Sequence, residues 1–135
     1  MTVVRWTPAL AIGHEEIDAQ HQELFRRADL LLEAMLAGDA AGTIGLFAFL
    51  GQYVVEHFAA EERIMLESAF PGFTVHHAAH ERFVRDYQSL RQLHQDSGGS
   101  AAVAVKARTW LAEWLQVHIG NTDQHLGRHL HRKTG

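Results

Sequence analysis

Four positions in this chain pair off at a spacing that suits a metal ion. His57 and Glu61 are four residues apart, and so are His76 and His80. On a helix, residues i and i+4 share a face with Cβ atoms about 5–6 Å apart, so two such side chains can converge on one ion. His21 lies upstream and His118 downstream, with Asp123 five residues beyond it. Five residues of ideal helix would turn Asp123 off the face of His118. Gly120, between them, is therefore expected to distort or end the helix and swing the carboxylate back. Imidazoles mixed with carboxylates suit one or two divalent first-row metals better than Ca²⁺ or Mg²⁺. The chain has no cysteine, which excludes thiolate ligation, thiolate catalysis and disulfides.

The elements that must position these side chains can be read from hydrophobic periodicity and turn signals. The expected fold is all-α: an up-down-up-down four-helix bundle with an extended N-terminal arm over residues 1–13, anchored by Trp6. Helices are expected over about 15–37, 40–67, 73–95 and 101–119, with a short tail at 121–135 that can begin with one more turn. Gly38 can end the first helix as a left-handed cap, and Asp39 can N-cap the second. Breaks fall at Ser68–Gly72 and at Asp96–Ser100. Short loops between long helices make sequential helices antiparallel neighbours. Each helix carries its candidate ligands on its most apolar stripe: His21 beside Ile17, Leu24 and Phe25; His57 and Glu61 beside Val54, Ile64 and Met65; His76 and His80 beside Phe73 and Phe83; His118 after Leu111 and Leu115. Buried without partners there, these polar groups would each cost several kcal/mol, roughly. A shared metal centre removes that cost.

Bulk composition excludes several function classes. The 135 residues fit one domain, and 47% hydrophobic content supports a packed core. A net charge of -4 with scattered Lys and Arg argues against nucleic acid as a partner. The uncharged run Ala40–Val55 is shorter than the ~20 residues a membrane span needs. The segment Met1–Trp6 lacks a basic region followed by an apolar one, so a cytoplasmic location is expected. The compositional outlier is histidine, at eleven residues.

The stretches Ile17-Asp-Ala-Gln-His21-Gln-Glu-Leu24, His57-Phe-Ala-Ala-Glu61-Glu62, His76-His-Ala-Ala-His80-Glu-Arg-Phe83 and Trp114-Leu-Gln-Val-His118-Ile-Gly-Asn-Thr-Asp123 resemble the hemerythrin family, specifically its bacterial single-domain branch. The resemblance runs from about Trp6 to Asp123. It implies two non-haem iron ions. His76, His80 and His118 would bind the first iron and His21 and His57 the second. Glu61 and Asp123 would bridge them together with an oxo or hydroxo group. Dioxygen would land on the second iron, and Leu115 and Trp114 match pocket-lining positions. His14 departs from the aliphatic residue usual in relatives.

This ligand set favours carrying O₂ over oxidising substrates. Oxidising di-iron sites typically use four carboxylates and two histidines. Here two carboxylates serve two irons, so high-valent iron is less accessible. The expected function is reversible O₂ binding by a monomer that is not an enzyme. Two alternatives stay open: an O₂ or redox sensor acting through a separate partner, and a di-iron enzyme with peroxidase-like or nitric-oxide-handling activity. Among the other histidines, His77 is the alternative ligand to His76. His125, His129 and His131 are expected in a solvated, frayed tail, with an accessory metal site as the alternative. His14 and His94 are expected at the surface.

Overall fold

A computed structural model of the chain describes residues 5–134. Its helices are α1 (Glu15–Leu36), α2 (Ala40–Glu67), α3 (Phe73–Asp96), α4 (Ala101–Val117) and α5 (Asp123–Thr134), with a single π-helical turn, His118–Thr122, joining α4 to α5. No strand occurs among the described residues. Helices α1 to α4 form an antiparallel four-helix bundle. Helix α1 packs against α2 and α4, and α3 packs against α2 and α4, which closes the square.

Local chemistry sets the helix ends. Asp39 Oδ1 accepts the Gly42 N–H at 3.0 Å and caps α2, and Ser100 Oγ accepts the Ala102 and Val103 N–H groups to cap α4. His14 is the N-cap of α1: its Nδ1 accepts the Ile17 N–H at 3.3 Å. The unusual histidine after Gly13 thus has a local role as a cap and is half-buried. Helices α1, α2 and α3 each end in the same double hydrogen bond, in which the two residues after the cap reach back to the last turn: Gly38 N to Met35 O with Asp39 N to Ala34 O, Ala69 N to Leu66 O with Phe70 N to Met65 O, and Gly98 N to Gln95 O with Gly99 N to His94 O.

The buried stripe of α1 (Ile17, His21, Leu24, Phe25, Ala28, Leu31, Leu32, Met35) shows the three- and four-residue steps of a core-facing helix. From Leu24 onward it meets Phe47, Leu50, Val54 and Phe58 of α2, Phe83, Tyr87 and Leu90 of α3, and Val103, Ala107, Leu111 and Leu115 of α4 in one apolar cluster. Burying a side chain of this size contributes about 1.5–3 kcal/mol. The Tyr87 hydroxyl reaches the interior by donating to the Phe47 carbonyl at 2.7 Å.

Three expectations need correction. The arm is not wholly extended: Pro8–Leu10 form a 3-10 turn started by the proline. Its extended start at residues 1–4 lies outside the described residues, and Trp6 packs on the core as expected. Secondly, the segment after Gly120 is no frayed tail. Helix α5 is twelve residues long and buries Leu126 completely, while Leu130 packs on a small cluster of Ile12, Ile17 and Ile64. The helix also touches the arm at backbone level, since a Cβ on Gly127 would stand 2.5 Å from the Ile12 carbonyl. Thirdly, His94 is buried, at 6% exposure. It faces the Phe47 ring at 5.5 Å between centroids, because the last turn of α3 still points its apolar stripe inward.

The end of α2 places an alanine where the other two helix ends place glycine. Ala69 has φ of +55°, a left-handed conformation that costs an L-residue about 1–2 kcal/mol. Ala69→Gly should therefore raise stability by about 1 kcal/mol in urea unfolding. The matching exchange at Gly38 (φ +73°), Gly38→Ala, should lower it by a similar amount.

Candidate metal centre

At one end of the bundle the four apolar stripes each finish in polar side chains. Helix α1 contributes His21, α2 His57 and Glu61, and α3 His76 and His80; His118 and Asp123 bracket the π turn. The turn solves the spacing problem between the last two. Asp123 N–H donates to the His118 carbonyl, an i→i−5 bond in place of the α-helical i→i−4, and residues five apart come onto one face. Gly120 lies inside this distortion, as expected, but the helix continues beyond it.

All seven side chains meet, and none is more than 5% exposed. Glu61 Oε1 lies 2.8 Å from His76 Nε2 and 3.2 Å from His80 Nε2. Asp123 Oδ1 lies 2.8 Å from His76 Nε2 and 3.1 Å from His118 Nε2. The other oxygens face the opposite way. Glu61 Oε2 lies 3.4 Å from His21 Nε2 and 3.2 Å from His57 Nε2, and Asp123 Oδ2 lies 3.1 Å from His21 Nε2. Each carboxylate thus divides its two oxygens between a group of three histidines and a group of two.

These contacts are close but are not hydrogen bonds. All four carboxylate oxygens and Nε2 of His21, His76, His80 and His118 are buried without a hydrogen-bond partner. Their ligand atoms gather in two groups that share Glu61, one with His76, His80, His118 and Asp123 and one with His21 and His57. Neighbouring ligands held ~2.1 Å from one ion stand about 3 Å apart, which matches the separations seen. An orphaned, convergent donor set of imidazole and carboxylate therefore fits divalent first-row cations, and its division in two fits a pair of them.

The surroundings keep the ligand planes fixed. His80 stacks on Phe58 with ring centroids 3.8 Å apart, and His118 stacks on Trp114 at 4.2 Å. Trp114 therefore sits on the three-histidine side, half-buried. Leu115 is buried at 3% exposure within the main apolar cluster. On their outer edges, His57 Nδ1 is 2.7 Å from Gln20 Oε1 and His80 Nδ1 is 2.8 Å from Glu62 Oε2. An Nδ1–H donated outward leaves Nε2 bare, the tautomer a metal needs.

His77 stays outside the cluster, with its Nδ1 2.8 Å from Glu62 Oε1. His125 Nδ1 takes a hydrogen bond from Arg128 at 3.0 Å, and His129 Nε2 donates to the Ser68 carbonyl at 2.8 Å. These two have separate partners, and among the described residues neither belongs to a group of three or more candidate ligands. Sequence reasoning missed Gln20 and Glu62. Each is the immediate neighbour of a candidate ligand and stands about 100° round the helix from it, a placement that periodicity alone does not mark as functional.

Protons compete for the same positions. Burial alone would push the His21 imidazole down, but the carboxylates of Asp123 and Glu61 outweigh it and lift its pKa to about 9. His76 is lifted to about 9 for the same reasons. For His57 burial wins over the pull of Glu61, and its pKa falls. Burial opposes ionisation of Glu61, yet the histidines around it hold its carboxyl well below the usual range. Asp123 is likewise held low, by His118 and His21 against burial and the charge of Glu61.

The profile of the hemerythrin HHE cation binding domain matches residues 12–130. Among curated relatives, the bacteriohemerythrin of Stenotrophomonas maltophilia (strain R551-3) is 29% identical over 124 residues, covering 92% of this chain and 79% of the relative. The myohemerythrin of Riftia pachyptila is 31% identical over 118 residues, covering 87% and 86%. A solved hemerythrin structure, a variant with tyrosine in place of a leucine, superposes with a TM-score of 0.80 at 25% identity over 96% of this chain and 98% of that one. A second solved structure, of a leucine-to-phenylalanine variant, shares the fold with a TM-score of 0.86 at 24% identity and the same coverage. The chain belongs to the hemerythrin family.

The raised imidazoles fix the sign of a pH effect. With folded pKa values of about 9 for His21 and His76 against an unfolded value near 6.5, their stabilisation of the cation-free protein is complete below ~6.5 and is lost as pH rises through ~9. A metal needs both imidazoles neutral, so protons compete with it at low pH. The difference in melting temperature between metal-loaded and metal-free protein should widen steadily from pH 6.5 to pH 9. A constant difference across that range in paired scans would contradict this assignment of the protons.

Proposed function

We propose that this chain holds two iron ions at the seven-ligand cluster and binds dioxygen reversibly, as a carrier, store or local supplier of O₂. The observation that carries the reading is the unequal division of the histidines. His76, His80 and His118 with one oxygen each of Glu61 and Asp123 would supply five ligands to one iron. His21 and His57 with the other two oxygens would supply four to its neighbour. A solvent-derived oxo or hydroxo group shared between the irons would complete six and leave the second iron one ligand short, which gives O₂ a place to bind. The relatives named bacteriohemerythrin and myohemerythrin support the choice of iron.

When bound, the iron pair supplies the two electrons that O₂ takes up and returns. The protein's part is to hold the ligands still and keep water out. The seven ligand side chains are nearly inaccessible. Leu115 lies three residues before His118, on the same face of α4 and within the apolar cluster. An aliphatic group there excludes the water and protons that would turn reversible binding into irreversible oxidation. With only two carboxylates among seven ligands, the site stays more positive than an oxidising di-iron site, and this favours release over cleavage of O₂. Because α1, α2, α3 and the segment that follows α4 all contribute ligands, the chain would act as a single domain.

Protein reconstituted with Fe(II) under argon should bind close to two equivalents. Cycles of air and degassing should make a ligand-to-metal charge-transfer colour appear and fade repeatedly. Leu115→Ala should keep both irons but shorten the lifetime of the oxygenated protein by roughly tenfold or more. If the wild type instead turns irreversibly ferric in one cycle while consuming O₂ catalytically with a reductant, an enzymatic reading replaces this one.

A further inference from the structure

Two of the five inward-facing imidazoles are held from behind, and the groups that hold them differ in charge. On the two-histidine side, His57 donates its Nδ1–H to the neutral amide oxygen of Gln20 at 2.7 Å. On the three-histidine side, His80 donates its Nδ1–H to the Glu62 carboxylate at 2.8 Å. The second oxygen of Glu62 accepts from His77 Nδ1 at 2.8 Å. His77 in turn is well placed to stay where it is. Its ring lies flat on Phe73, with centroids 5.5 Å apart and 8° between planes, and its Nε2 is 3.4 Å from Glu81. The His77 side chain is 42% exposed, whereas that of His80 is 2% exposed. Glu62 therefore spans from the surface of α3 to the back of a buried ligand.

We propose that Glu62, braced by His77, and Gln20 are positioning residues that make the two halves of the centre unequal, so that the three-histidine half takes its metal first and more tightly. This rests on the two-metal reading above. Both outer partners fix the same tautomer and aim a bare Nε2 inward. They differ in what they do to its donor strength. A carboxylate accepting the Nδ1 proton draws that proton toward itself and leaves more electron density on Nε2; an amide oxygen orients the ring with far less of this effect. The half that already has one more imidazole is thus also the half with the stronger donor. The His77 hydrogen bond matters because Glu62 is partly open to solvent, at 19% exposure. With both oxygens occupied by ring N–H groups, the carboxylate is kept from turning out to water. The proton on Nδ1 of His80 then has a permanent acceptor.

The test is a titration of the metal-free protein with Co(II) under argon, followed by calorimetry and by ligand-field absorption. Wild-type protein should take two equivalents in two resolved steps. Glu62→Gln should weaken the first step about ten- to hundredfold and shift the absorption band of the first ion, with the second step near the wild-type value. His77→Ala should give a smaller loss in the same step. Gln20→Glu should act in the opposite direction, strengthening the second step and narrowing the gap; a variant that merely disturbed packing would not do this. Wild-type affinities and bands in Glu62→Gln, or equal weakening of both steps, would overturn the proposal. Should Glu62→Gln fail to fold, Gln20→Glu decides, and an unchanged second step counts against the proposal. A plateau at one equivalent in the wild type would remove the two-metal reading itself.

Discussion

Two buried carboxylates, each with its oxygens turned to different sets of imidazoles, are the constraint around which the rest of this bundle is arranged. A lone carboxylate in such a place would cost several kcal/mol, roughly, and would protonate instead. Here Glu61 and Asp123 lie close together in the interior, so each also raises the cost of the other. Only positive charge placed between them, from protons or from metal ions, makes the arrangement stable. His21 and His76 serve either way: as cations when protonated, or as neutral donors when a metal replaces the proton.

The ligands are also core residues. His21 continues the stripe of Ile17, Leu24 and Ala28, and His118 continues that of Leu111 and Leu115. The hydrophobic packing that assembles the helices therefore sets the ligand positions at the same time. Aromatic rings finish the job at close range: Phe58 fixes the plane of His80, and Trp114 that of His118. A centre built on helices and wedged by rings has little freedom to adjust its geometry.

Much of this was legible in the sequence because it rests on helical periodicity. The i, i+4 pairs His57/Glu61 and His76/His80, the apolar stripes beside them and the glycine-rich breaks all follow from one spacing rule, and the four bundle helices fall within two residues of their expected limits. What was illegible depends on contacts between segments far apart in the chain. The docking of α5 needs Ile12, Ile17 and Ile64 to be brought together first. His94 reads as a polar residue near a loop, yet Phe47 draws it inward. Gln20 and Glu62 look like solvent-facing neighbours of ligands until α1, α2 and α3 are packed. His14 could be read as a cap only once the start of α1 is known to the residue.

The π turn has a consequence for the phase of everything that follows it. A continuous α-helix through His118 would turn Thr122, His125 and His129 toward the interior, following the steps of three and four that run through Leu111, Leu115 and His118. One additional residue in the turn advances the pattern by a single position. Asp123, Leu126 and Leu130 take the inward face instead. The histidines at 125 and 129 are rotated away to Arg128 and to the Ser68 carbonyl. The same local irregularity thus selects a carboxylate over a hydroxyl at the cluster, supplies α5 with its apolar face and turns two further imidazoles away from it. Deleting any one residue between His118 and Asp123 would leave a regular α-helix with Asp123, Leu126 and Leu130 still facing inward, so the π turn takes up one additional residue without disturbing the phase of the partners that matter.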